Sequence, residues 1–234
     1  MRAYKGFLRR KDGTLWCRDF QYVSGQTYKF DGVPALCRQG FHACHERWQC
    51  WRFYPNNGDN VYYEVECGGI IVESKEGDGK LVCTEITLIR EIPAPEVKYE
   101  CCFYFRDGFA WVRLNDKYNF INTEGKLISE QWWDSCVNFV SGVAMVGLNG
   151  KWNHINTEGK LISEQWWDYL GYFFNDFAVV ELDGKWNYIG TDGKLLSDKW
   201  FESASSFYSR FARVKLHGKL YKINKKGELK EFFA

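Results

Sequence analysis

The sequence predicts an α+β domain followed by an all-β repeat array, and three observations lead to this fold class. The chain has 234 residues, enough to bury the core of one large or two ordinary domains. Its four prolines all fall at or before Pro95, and its second half repeats with a period of 34 residues. We predict an α+β domain at residues 1–92, a proline-containing linker at 93–102 and the array at 103–234.

The first domain combines strand-like segments with one predicted helix. The segments AYKGFL, VYYEVECGGIIV and TEITLI are rich in the β-branched and aromatic residues that strands favour. Between them, CHERWQCWRFY from Cys44 places Trp48 and Trp51 near one face of a helix. This mixture predicts the α+β class.

The array consists of four units in strict register. The motifs EGKL, EGKL, DGKL and KGEL follow one another at intervals of 34 residues, from Glu124, Glu158, Asp192 and Lys226. In the third unit, FAVVEL ends at Asp183-Gly184, a pair typical of a type I′ hairpin turn, and KWNYI returns as a strand. Two glycine turns per unit and no 3.6-residue apolar stripe exclude a helical array. Each unit is therefore predicted to form about three short strands.

The array is also rich in tryptophan. Aromatic residues make up 18% of the chain, with 11 tryptophans. Neighbours in a strand point to opposite faces, so each tryptophan doublet should place one ring inward and one outward. Inward rings join a unit to the next, whereas outward rings could stack on sugars, bases or peptides. The predicted ligand-binding residues are Trp132, Trp133, Trp152, Trp166, Trp167, Trp186 and Trp200.

The segment CRQGFHACHERWQC offers five potential metal ligands. Zinc sites are usually built from two short-spaced pairs, and no CxxC spacing occurs here. Small buried thiols are therefore favoured over a metal site, and no cofactor is predicted. The weak metal candidates are Cys37, His42, Cys44, His45 and Cys50.

The repeated signature of strand, NG or DG turn, KW, strand and EGK resembles the WG-repeat family of bacterial proteins from Phe103 to Ala234. Asn follows Trp152 and Trp186 where the family has Gly. The resemblance implies a β-rich repeat scaffold with no established activity. The segment NGKWNHINTEGK is also similar to choline- or glucan-binding repeats, which implies a ligand boxed by aromatic rings.

The N-terminal motifs YKGF, CRDFQY and GFHAC resemble a small domain of bacterial and phage proteins that brings no mechanism with it. The opening YKG, the histidine motif and the YEVE carboxylates also resemble ADP-ribosyltransferase-like enzymes. That resemblance implies Tyr4, His42, Glu64 and Glu66 as catalytic candidates. The alternative is that Glu64 and Glu66 are solvent-facing residues of an ordinary strand.

Charge and hydropathy restrict the function classes. With 31 Lys plus Arg against 30 Asp plus Glu, a general nucleic-acid binder is excluded. No apolar run approaches the roughly 20 residues that span a bilayer, and no signal peptide is recognisable. An odd number of cysteines, nine, favours free thiols and a cytoplasmic location.

We therefore expect a non-catalytic binding or scaffold protein whose aromatic-lined repeat surface meets a protein, small-molecule or glycan ligand. The alternative is an enzyme with a nucleotide-handling N-terminal domain and the repeats as a recognition arm. An exposed final edge strand could pair with a second copy, which leaves a homodimer open.

Overall fold

Strands together with isolated β-bridges account for 53% of the described residues, and helix for 3%, in the computed structural model. The structure describes residues 1–75, 79–207 and 209–231, so Tyr208 and the last three residues of the predicted array lie outside it. The described part of the N-terminal domain contains seven strands and one helix: β1 (Arg2–Arg9), β2 (Leu15–Cys17), β3 (Phe20–Tyr22), β4 (Thr27–Lys29), β5 (Phe41–Cys44), α1 (Arg47–Phe53), β6 (Asn60–Glu73) and β7 (Lys80–Ile92).

The predicted α+β class is therefore wrong, because the N-terminal domain is also β. The predicted helix from Cys44 exists only as the seven residues of α1, and Cys44 belongs to β5. A capping box between Glu46 and Gln49 starts the helix. It ends at Tyr54, because the residue before a proline avoids helical geometry. The helix buries Cys50 and Trp51 against the sheet.

Four strands of this domain form a closed circuit of pairing. β1 pairs with β6, β6 with β7, β7 with β5, and β5 returns to β1 through Tyr4 and Cys44. Register shifts near Glu64 and Gly68 bend the long β6 strand. The enclosed core is apolar and includes Ala3, Phe7, Leu15, Tyr22, Phe41, Ala43, Tyr63, Val65, Cys67, Leu81, Cys83, Ile86 and Leu88.

The repeats are β-rich and form one small antiparallel sheet each. Their strands among the described residues are β8 (Cys101–Cys102), β9 (Phe109–Leu114), β10 (Lys117–Asn122), β11 (Ser135–Val140), β12 (Val143–Leu148), β13 (Lys151–Asn156), β14 (Tyr169–Leu170), β15 (Phe177–Leu182), β16 (Lys185–Gly190), β17 (Ser203–Ala204), β18 (Phe211–Leu216), β19 (Lys219–Asn224) and β20 (Leu229–Glu231).

A two-residue turn sets the register of each repeat hairpin. At the turn between β15 and β16, Asp183 and Gly184 have φ values of 51° and 73°. Positive φ at both positions defines a type I′ turn, which matches the twist of paired strands. The predicted turn at Asp183-Gly184 is present, with Leu182 opposite Lys185.

The chain divides into two compact units, Met1–Trp132 and Trp133–Ala234. The first repeat belongs to the first unit and the other three repeats to the second. The predicted linker is packed in the first unit, where the Asn56 side chain donates hydrogen bonds to the carbonyl oxygens of Pro95 and Val97. The domain boundaries at residues 92 and 103 stay a prediction.

The one helix in the described ranges is too short to cross a bilayer, and no longer apolar helix is present there.

Candidate functional site

The second ring of each doublet in the second unit is buried, and in two doublets the backbone of this residue forms a β-bridge to the preceding hairpin. Trp167 is 2% exposed, and the equivalent Phe201 is fully buried. The backbone N–H of Trp167 donates to the carbonyl of Trp152 at 2.9 Å, and the reverse bond measures 2.8 Å. The doublet therefore adds an isolated β-bridge to the edge of β13 before the chain enters the next repeat.

The first ring of each doublet and the rings of the return strands are half-buried. Trp200 lies 6.3 Å from Trp167 between ring centroids, and Trp186 lies 5.3 Å from Tyr169. Trp200 and Trp186 thus each present one part to solvent and another part to a neighbouring ring. The half-buried rings predicted as ligand-binding are Trp132, Trp152, Trp166, Trp186 and Trp200.

An acidic residue after each doublet holds the turn of the following hairpin. The Asp168 carboxylate accepts a hydrogen bond from the backbone N–H of Asp183 at 2.8 Å and another from Lys151 Nζ at 2.8 Å. The Lys151 bond, then the Asp183 bond, lower the pKa of Asp168. Asp134 holds Asn149 in the same way. The acidic residue that follows each doublet thus ties the start of the next sheet to the turn of its hairpin.

Three exposed rings that were not predicted lie between Tyr169 and Phe174. Tyr169, Tyr172 and Phe174 expose 47%, 49% and 51% of their surface. Tyr169 begins β14, the first strand of its sheet, and packs on Trp186. We name Tyr169, Tyr172, Phe174 and Trp186 the aromatic patch. The dense run YLGYFF could have signalled it, but Tyr172 and Phe174 do not recur as large exposed rings in the second repeat.

A cleft of about 510 Å³ lies in the same unit, beside Trp167 and Trp200. Leu182 and Leu195 supply its apolar lining, and the carboxylates of Glu164 and Asp192 are among its polar groups. Its rings and carboxylates suit a small polar ligand such as a sugar.

A larger cavity of about 740 Å³ lies in the N-terminal domain. The structure brings five of the sequence-predicted candidates to its lining: Tyr4, Cys37, His42, Cys44 and Cys50. The candidates Glu64, Glu66 and His45 are not among the described lining residues. Glu64 is buried and forms ion pairs with Arg2 at 3.2 Å and Arg90 at 2.7 Å. Its charge is thus already compensated.

Across the described ranges, no three His, Cys, Asp or Glu side chains are arranged to hold a metal ion. Burial, followed by a hydrogen bond with Cys44, raises the pKa of the Cys50 thiol. Burial also lowers the pKa of His42, with Lys5 and Arg18 adding to the effect. The Cys50 thiol and the His42 imidazole are therefore neutral at pH 7, which leaves this thiol as a small apolar group.

Two families match the sequence. The family described as "WG containing repeat" matches residues 96–118, 120–152 and 155–186. The family described as "Domain of unknown function (DUF7666)" matches residues 1–100. The chain is a WG-repeat protein with an N-terminal DUF7666 domain. Its fourth unit lies outside the matched ranges but keeps the hairpin, with Leu216 opposite Lys219.

No curated protein matches this WG-repeat protein. Similar solved structures include Hsv2 of Kluyveromyces lactis, at 12% identity over 63% of this chain and 54% of that chain, with a TM-score of 0.35. Another is BBS1N in complex with ARL6DN, at 12% identity over 89% and 69%, with a TM-score of 0.32. A third is a protein of unknown function from Bacteroides caccae, at 12% identity over 74% and 76%, with a TM-score of 0.24.

The WG-repeat protein spans about half of the length of the Hsv2 chain, 54%. At such TM-scores the likeness to these structures establishes neither a shared fold nor a function.

Proposed function

We propose that this WG-repeat protein is a non-catalytic binding protein that holds a protein partner on the aromatic patch of its third repeat. The observation that carries the proposal is the exposure of about half of each ring at Tyr169, Tyr172 and Phe174, within six residues. Single exposed apolar residues are ordinary, but exposed rings gathered in one short segment are typical of interaction surfaces. Aromatic rings are also enriched at the centre of protein interfaces.

The extent of the patch favours a protein over a small ligand. The segment from 169 to 174 begins with the first strand of the sheet, β14, and five steps of a fully extended chain would cover at most roughly 16 Å. That length suits a protein surface better than a compact molecule. A small-molecule or glycan ligand would instead use the cleft beside Trp167 and Trp200.

The competing proposal is an enzyme centred on the N-terminal domain. It would need a carboxylate beside Tyr4 and His42 to act on a bound substrate. Glu64 lies opposite Tyr4 in the β1–β6 ladder, but it is outside the described lining and its charge is compensated by two arginines. The carboxylate among the described lining residues is Asp19. This arrangement favours binding over catalysis.

The test compares capture of a partner from cells of the source by three full-length proteins. These are the wild type, a patch variant with Tyr169→Ser, Tyr172→Ser and Phe174→Ser, and a control variant with Val33→Ser, Ile70→Ser and Ile89→Ser at exposed positions elsewhere. The captured partner is then purified and titrated by calorimetry. We expect the patch variant to bind at least about 30-fold more weakly, equivalent to about 2 kcal/mol, and the control to bind as the wild type does. Equal affinity of all three proteins would contradict the proposal.

A further inference from the structure

We propose that the cavity of the N-terminal domain is a binding site for a small organic anion that carries a planar ring. The cavity measures about 740 Å³. Sites for small molecules typically measure about 300–1,000 Å³. The inference is independent of the aromatic patch and of any partner bound there.

The cavity exists because two strands separate. β1 and β5 pair only through Tyr4 and Cys44. Beyond that pair, Gly6 lies against the ring of Tyr54, which a Cβ at this position would overlap. The turn between β2 and β3 brings Arg18 and neighbouring residues to the opposite side. The gap is thus built into the sheet.

The charge of the lining is strongly positive. Lys29 forms an ion pair with Glu85 at 3.0 Å. In the described part of the chain, Lys5, Arg18 and Arg38 form no ion pair. One acidic residue, Asp19, faces five basic residues among the described lining residues: Lys5, Arg18, Lys29, Arg38 and Lys80.

Lys5 is the strongest indication of an anionic ligand. Its residue is only 4% exposed, and its Nζ donates one hydrogen bond, of 2.7 Å, to the carbonyl oxygen of His42. The ring centroids of Phe7 and Tyr22 lie 5.5 Å and 5.6 Å from the ammonium. A carbonyl and two ring faces stabilise a cation but carry no net charge. Buried charges in proteins are normally paired, and an ammonium has three donors, so an anion completes the site.

Two further groups can meet the same anion. The Nε2 atom of His42 is buried and has no hydrogen-bond partner among the described residues. Burial is the main cause that lowers the pKa of His42 and raises that of Tyr54, and the charge of Arg18 acts on both groups, which places this charge near both rings. Its φ of 54° is also sparsely populated for arginine, and such backbone strain occurs often at ligand sites.

Apolar rings surround this charged centre. Phe20, Phe30, Phe53 and Tyr54 all line the cavity. Their faces suit a flat apolar group, and the cations suit a phosphate, sulfonate or carboxylate attached to it.

The test uses a pair of fluorescent probes that differ in charge. 1-Anilinonaphthalene-8-sulfonate carries a sulfonate, and N-phenyl-1-naphthylamine has the same rings without it. Both are titrated into the full-length wild type, Lys5→Met, Arg18→Gln and a control, Lys11→Met, which removes an exposed charge outside the lining. We expect the sulfonate to bind the wild type with one-to-one stoichiometry, and to bind Lys5→Met at least about 10-fold and Arg18→Gln at least about 3-fold more weakly. The control and the uncharged probe should be unaffected within about 2-fold.

Three outcomes would overturn the inference. The first is equal sulfonate affinity in the wild type and both cavity variants. The second is an equal loss for the charged and uncharged probes, which would indicate an apolar site. The third is loss of sulfonate binding in the patch variant described above, because it would locate the probe on the repeats. Since Arg18 is exposed, Arg18→Gln decides the question even if Lys5→Met does not fold.

Discussion

The side-chain amide nitrogen of Asn153 lies 2.7 Å from the backbone carbonyl oxygen of Ser163 and 3.1 Å from that of Gln165. Its own carbonyl oxygen accepts the backbone N–H of His154. The residue is fully buried, and Asn119 and Asn187 make the same bonds in their repeats. This buried amide explains why Asn stands after the tryptophan where the WG-repeat family has Gly.

Replacing Asn153 by alanine should destabilise the repeats by roughly 2–4 kcal/mol, because buried carbonyl groups lose their donor. Urea unfolding measures the change. Asn138→Ala is the matched control, since no hydrogen bond of that side chain is present in the described structure, and it should change stability by less than about 0.5 kcal/mol. Equal effects of the two substitutions would show that the buried amide does not stabilise the repeat.

Gly193 lies in the DGKL turn of the third repeat and Gly184 in its hairpin turn. Replacing each by alanine should lower the stability of the protein by different amounts. At Gly193 an added Cβ would overlap the backbone carbonyl oxygen of Ile162 in the preceding repeat, and φ is +76°. At Gly184 φ is +73°, but the space around the Cβ position is open. Gly184→Ala should cost about 1 kcal/mol, and Gly193→Ala clearly more, because overlap adds to strain. The difference between the unfolding midpoints of the two variants measures the effect of the contact between repeats. Similar midpoints would contradict a role for this contact in stability.

His154 should make the second unit sensitive to mild acid. Burial lowers its pKa from 6.5 to about 4. Since only the unfolded chain binds the proton between these values, stability present above pH 6.5 is lost as the pH falls toward 4, by on the order of 3 kcal/mol. His154→Phe should remove this loss, because Phe120 and Tyr188 occupy the same position in neighbouring repeats. His217→Asn, at an exposed turn, should keep it. Unfolding curves between pH 7 and 4 give the answer, and a parallel decline in wild type and His154→Phe would exclude the effect.

The Asp168 carboxylate should make stability depend on pH in a lower pH range than His154 does. Its pKa lies below the ordinary 3.8, chiefly because of Lys151 and then the N–H of Asp183. Its contribution is therefore present above 3.8 and is lost as the pH falls through the lowered pKa. We expect Asp168→Asn to be less stable than the wild type at pH 7 and equal to it well below pH 3.8. The exposed Asp198→Asn should match the wild type throughout. A difference between Asp168→Asn and the wild type that persisted in strong acid would mean that the carboxylate charge is not the cause.

Local features of the repeats were predictable, because turn residues such as Asp183-Gly184 determine hairpin geometry through their own φ values. The fold class of the N-terminal domain was not predictable from local sequence. The spacing of Trp48 and Trp51 is helical, but the domain is organised by the pairing of the distant strands β6 and β7, which no local pattern shows.

The candidate site residues, like the fold, were predictable only where they depend on local sequence. The repeated pattern predicts tryptophan as the binding residue, yet exposure depends on which face of each sheet is covered, and the most exposed rings among the described residues are Tyr172 and Phe174. No local sequence pattern shows that Lys5 is buried, because its burial depends on the pairing of β1 with the distant strands β5 and β6. The catalytic candidates Tyr4 and His42 both line a cavity, whereas Glu64, which lies opposite Tyr4 in the β1–β6 ladder, is outside the described lining and is paired with two arginines.

The most direct measurement of the binding function is site-specific photo-crosslinking in cells of the source. A benzophenone side chain is placed at Tyr172 in one protein and at Val33, which is 74% exposed, in another. The proposed patch predicts a discrete crosslinked product with a second protein from position 172 and none from position 33. A partner that crosslinks from position 33, with position 172 silent, would contradict the assignment of binding to the third repeat.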